Sequence, residues 1–82
     1  MQILSKGRII NTSSEDKTFN YHSPKDFEIE LCSDEDGKTG GYYIFFRNEN
    51  LKEYFDNWFE NKAMALEYIQ NKEALGWVIQ WE

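Results

Sequence analysis

Apolar and polar positions alternate most regularly in Asp26–Cys32. Phe27, Ile29 and Leu31 point one way and Asp26, Glu28 and Glu30 the other, as in a half-exposed antiparallel strand. The run Tyr42–Phe46 is aromatic or β-branched throughout. Tyr42, Ile44 and Phe46 would line one face and Tyr43, Phe45 and Arg47 the other. A strand apolar on both faces predicts an interior position in a sheet covered, at least partly, on both sides. Gln2–Asn11 reads as a first strand with a bend or bulge at Gly7. Thr12–Lys17 is a polar turn cluster, and Thr18–His22 a short second strand ended by Ser23-Pro24. Ser33–Gly41 is the loop that delivers the chain to Tyr42.

Asn48–Glu60 fits two patterns. As a helix, Asn50 would cap it, Glu53 would complete a capping box, and Leu51, Tyr54, Phe55 and Trp58 would form a stripe. As a strand, Asn48–Asn50 is a hairpin turn and Leu51–Phe59 an aromatic strand. The strand is preferred, because a helix here would meet the next one with almost no connection. That next helix spans 61–73, with Asn61 as N-cap and Ala65, Leu66 and Ile69 facing inward. Gly76 is placed for a left-handed helix exit. Trp77–Trp81 follows as a last strand, with Trp77, Ile79 and Trp81 on one face. The expected fold is therefore α+β: an antiparallel sheet of five or six strands, with one α-helix packed on one face. The other face, rich in aromatics, then needs a cover or a partner, and a homodimer through it is one such arrangement.

Eighty-two residues make one domain with a small core. Six Phe, five Tyr and three Trp suit that case, because large rings supply apolar area from few positions. A deep substrate cavity has little room. The formal charge is −6, which disfavours direct binding to nucleic-acid phosphates or anionic membranes and favours a basic partner. The first residues are too short and polar for a signal peptide, and no run approaches a membrane span. The single cysteine, Cys32, excludes an internal disulfide. A soluble cytoplasmic protein is expected.

The segments Tyr43–Phe46, Phe55–Glu60 and Ala65–Tyr68, with Trp77, resemble a pattern in small bacterial domains. In those, a strand hairpin ends in Asp and Trp just before a helix with recurring alanines. The likeness covers residues 41–81. It implies a strand at Leu51–Phe59 and brings no catalytic residue with it.

Catalytic signatures are weak. His22 is the only histidine, and no Gly-x-Ser-x-Gly elbow accompanies it. One Cys and one His are too few for zinc. Aligned on Gly37, the Asp34–Gly37 run puts Cys32 and Tyr43 where a calcium loop needs acids. No catalytic residue, metal or cofactor is expected. One asymmetry stands out: Thr12–Gly37 holds eight acids and two bases. Asp26, Glu28 and Glu30 project together from the predicted strand, with Asp34, Glu35 and Asp36 at its end. These six residues are the candidate docking surface for a basic partner protein, in the manner of an inhibitor or immunity protein. A small-ligand site or enzyme among the aromatics is the alternative.

Overall fold

The computed structural model describes residues 1–13, 19 and 23–82. Five strands and one helix follow in the order β1 (Gln2–Asn11), β2 (Glu28–Ser33), β3 (Tyr42–Asn48), β4 (Glu53–Phe59), α1 (Lys62–Ala74) and β5 (Val78–Trp81). The sheet order is β4-β3-β2-β1-β5, and every neighbouring pair is antiparallel. The first four strands form a meander. The helix then carries the chain from the β4 edge to the opposite edge, where β5 lies against β1. The α+β class and the single helix agree with the sequence reading. The predicted strand Thr18–His22 lies outside the described residues, save Phe19.

The residues explain most of the boundaries. Asn61 caps the helix, its side-chain Oδ1 accepting from the Met64 amide at 2.9 Å. The helix leaves through Gly76 at φ +118. Asn48–Glu60 is a hairpin arm, as preferred, although its turn extends to Lys52 and the strand begins at Glu53 rather than Leu51. The third predicted strand begins at Glu28, not Asp26. Asp26 has φ +73 and donates its amide to the Ile9 carbonyl at 2.7 Å, so it belongs to the turn entering β2.

Gly7 is not a bend. The register of β1 shifts at Ile3/Ser5 and at Ile9/Asn11, on either side of it. A Cβ on Gly7 would meet the Gln80 carbonyl oxygen at 2.5 Å. The missing side chain thus lets β5 close on β1.

The core lies between the sheet and the helix. Ile9, Ile29, Leu31, Tyr42, Ile44 and Phe46 turn their side chains to that face and are buried, and Ala65 and Ile69 meet them from the helix. Leu66, expected inside, is 38% exposed. Trp81, expected to share one face with Trp77 and Ile79, is 36% exposed where Trp77 is buried. A second group closes the sheet end the helix leaves open. Phe19 stacks on Phe55 at 4.9 Å, and contacts Phe27 and Phe46, each at 4.8 Å. Trp77 meets Phe46 edge-on at 5.9 Å, a geometry ring quadrupoles favour.

Among the described residues, the expectation of cover on both sides is not met. Helix and Phe19 group both lie on one face. On the other, Tyr43, Phe45 and Arg47 of β3 are only half-buried.

Ile44 is completely buried on β3. Ile44→Ala is expected to cost about 2–5 kcal/mol of unfolding free energy in urea. A loss below roughly 0.5 kcal/mol would exclude a core role for this strand.

Candidate functional site

The uncovered face is built from alternate residues of all five strands. Register places Lys6 and Arg8 of β1 opposite Glu30 and Glu28 of β2, and Arg8 opposite Gln80 of β5. Glu28, Glu30 and Cys32 stand opposite Arg47, Phe45 and Tyr43 of β3. These in turn stand opposite Tyr54, Asp56 and Trp58 of β4. The face therefore has a charged half toward β1 and an aromatic half toward β4.

In the charged half, the two glutamates are held by both arginines of the chain. Arg47 reaches Glu30 at 3.0 Å and Glu28 at 3.8 Å, and Arg8 reaches Glu28 at 3.4 Å. Lys6 lies 3.8 Å from Glu82, and Arg47 lies 3.9 Å from Glu49. A shallow depression of about 630 Å³ runs over these side chains, open to solvent.

In the aromatic half, Tyr43 and Phe45 stack at 5.4 Å with 11° between their planes. Trp58 and Tyr54 are about half-exposed. Each polar tip is tied down. The Trp58 indole Nε1–H donates to the Gly40 carbonyl at 3.0 Å, the Tyr43 hydroxyl to Thr39 at 2.9 Å, and the Tyr54 hydroxyl to Glu49 at 3.1 Å. Gly41 makes room for this. It has φ +73, and a Cβ there would lie 2.5 Å from the Trp58 Nε1. The rings are fixed before any partner arrives, which lowers the ordering cost of binding.

The six candidate acids separate into three settings. Glu28 and Glu30 share the uncovered face as expected, but cations from β1 and β3 offset them. Asp26 sits in the turn before β2, at the opposite end of that strand from Asp34–Asp36. Six strand residues span about 20 Å, so the acids do not form one contiguous patch. In the loop, Asp34 is buried and accepts from both the amide and the hydroxyl of Thr39, and Glu35 accepts from the Tyr42 hydroxyl at 2.7 Å. Only Asp36 among the loop acids is exposed with no partner among the described residues.

Local electrostatics follow from these contacts. Thr39, mainly through its hydroxyl, holds the Asp34 carboxyl below its ordinary range. The Glu35 carboxylate pushes the Tyr42 phenol up. Burial, then the charge of Glu30, pushes the Cys32 thiol up, away from the reactive thiolate.

The strands' uncovered side carries three bases (Lys6, Arg8, Arg47) and three acids (Glu28, Glu30, Asp56). It is balanced, although the chain carries −6. Counting charge along Thr12–Gly37 could not show this, because the offsetting arginines arrive from other strands. Sequence reasoning also passed over Tyr54, Asp56 and Trp58. Their shared parity in the aromatic strand was the available signal. His22 lies outside the described residues, so its relation to these carboxylates is not described. No group of three or more potential metal ligands occurs among the described residues, and no helix there is long and apolar enough to cross a membrane. Compared with protein-family models, curated proteins and solved structures, the chain matches none.

Two outcomes are expected. The depressed Asp34 carboxyl stabilises the fold above its unfolded value of about 4, and that contribution disappears as pH falls through the lower folded value. Asp34→Asn should therefore be less stable than the parent near neutral pH and lose less on acidification to about pH 3. Urea titrations at the two pH values decide this, and equal losses would remove Asp34 from the acid response. Second, reversing Glu28 and Glu30 to Lys should lower stability by more than the ~1 kcal/mol ceiling of an exposed pair, because Arg8 and Arg47 would face new positive charge. Unchanged stability would show that these pairs contribute nothing.

Proposed function

We propose that this is a small acidic protein-interaction domain that seats its uncovered sheet face on a basic partner protein, as an inhibitor or immunity protein does. One observation carries the reading. A chain short of apolar area leaves Tyr43, Phe45, Tyr54 and Trp58 on the side away from its helix and pins the tips of three of them with hydrogen bonds. Tyr, Trp and Arg are the residues that dominate interface energetics. Here Tyr54 and Trp58 are open to solvent, and Arg47 of β3 stands directly opposite Tyr54.

Charge and contact divide the work. With the face itself balanced, the −6 resides on the rest of the molecule. It draws a basic partner in and raises the association rate. The aromatic half then supplies the short-range attraction that slows dissociation. This arrangement replaces a docking site made of Asp26, Glu28, Glu30 and Asp34–Asp36 with one in which the acids off the face steer and the rings hold. A small-ligand or catalytic site among the aromatics finds less support. Ligand pockets bury most of their occupant, and the depressions on this face are shallow.

The test begins with capture of a partner from the native host and proceeds to kinetics with that purified protein. Raised salt should slow association. Tyr54→Ala combined with Trp58→Ala should leave the far-UV spectrum unchanged and weaken binding by about 30-fold or more, the equivalent of one hot-spot residue, chiefly through faster dissociation. Unchanged affinity in the folded double variant would reject this face as the interface.

A further inference from the structure

Asp56 is the one acid on the uncovered side of the strands with no cation among the described residues. Every base on that side is already engaged: Lys6 with Glu82, Arg8 with Glu28, and Arg47 with Glu28, Glu30 and Glu49. Asp56 lies between Tyr54 and Trp58 on β4 and directly opposite Phe45 on β3. An exposed carboxylate therefore has three aromatic residues as its neighbours on this face of the sheet. A shallow cleft of about 280 Å³ opens there, with Phe45, Arg47, Tyr54 and Asp56 in its lining. Rings present negative faces to a cation, and the carboxylate adds a full opposite charge and a hydrogen-bond acceptor. Arg47, the one cation lining the cleft among the described residues, has Glu28, Glu30 and Glu49 around its guanidinium, which offsets its repulsion.

We infer that Asp56, with Phe45 opposite it and Tyr54 and Trp58 on either side of it along β4, is the receptor for a lysine or arginine side chain projecting from a partner protein. The inference rests on the interaction role proposed above and names what the partner must present. Charge complementarity selects the occupant. The unpaired group is an anion, the chain around it is acidic, and the flanking surface is aromatic. A second copy of this chain fits less well. The cations its own uncovered face could offer are already paired, and both copies carry −6. Nucleic acid would bring phosphates to a carboxylate. Asp56 is thus a specificity-determining position: it selects a cation where the rings alone would accept any apolar or aromatic group.

The test uses the full chain labelled with nitrogen-15 and two short peptides, acetyl-Arg-Arg-Arg-amide and the same peptide with citrulline in place of arginine. The reporters are the Trp58 indole N–H and the amides of Tyr54, Asp56 and Phe45. The arginine peptide should shift these signals in a saturable way and the citrulline peptide should not. Asp56→Asn keeps the shape of an exposed side chain and should weaken arginine-peptide binding by about tenfold, the order of one charge-assisted contact. Three results would each overturn the inference: equal binding to Asp56→Asn, shifts confined to the Asp34–Asp36 loop, or concentration-dependent shifts at Trp58 without peptide, which would identify a second copy as the occupant. Loss of the inference leaves the broader reading standing if the captured partner still requires Tyr54 and Trp58. Loss of that requirement alone, with arginine still bound, removes the protein interface and keeps the cation site.

Discussion

One helix can cover only one face of a five-stranded sheet, and the rest of this molecule follows from that. A 13-residue helix is about 20 Å long and about 10 Å across. Five strands at about 4.8 Å spacing make a layer of similar width. The described residues hold no second helix for the other side. Even the covered side needs help, which Phe19, Phe27 and Trp77 provide at the end beyond the helix. The second face is left to be stabilised by what the strands themselves carry.

The aromatic residues divide accordingly. Phe19, Phe27 and Phe46 go inside, where an apolar ring has no polar atom to satisfy. Tyr43, Tyr54 and Trp58 go to the uncovered side, where their polar tips find Thr39, Glu49 and the Gly40 carbonyl. Phe45 is the exception. It is half-buried against the stacked Tyr43 ring. In the charged half, the glutamates and arginines cover the middle of the sheet with their aliphatic stems while their charges neutralise one another. The side without a helix is thus paved by long side chains rather than by a second layer.

Much of this was legible in the residues. The alternation of Glu28–Cys32 marks a strand with one polar face, and Asn61 followed by good helix formers marks the helix start. The decision between helix and strand at Leu51–Phe59 turned on the lack of a connection to the next helix, and the sheet contains that strand. Other features depend on pairing between strands far apart in sequence, which local pattern does not encode. The arginines that offset Glu28 and Glu30 come from β1 and β3, so a charge count within one segment misleads. Asp56 looks ordinary until β4 is seen to lie at an edge beside a face with no spare cation. The bend expected at Gly7 was a fair reading of glycine in a strand. Its actual purpose, close approach of β5, depends on a strand more than seventy residues away.

That pairing bears on how the molecule forms. Gly7 lies opposite Trp81, so the β1–β5 ladder joins two of the most distant stretches of the sequence. The connections within the meander β1 to β4 run from four to sixteen residues, whereas the helix must span the sheet for β5 to reach β1. Long-range closure of this kind carries a large loop-entropy cost before any contact offsets it. The last strand is short, four residues, and among the described residues is held by a ladder on one side only. Its pairing encloses Ile9 beside Ile79, so a core residue of the first strand owes part of its burial to the last.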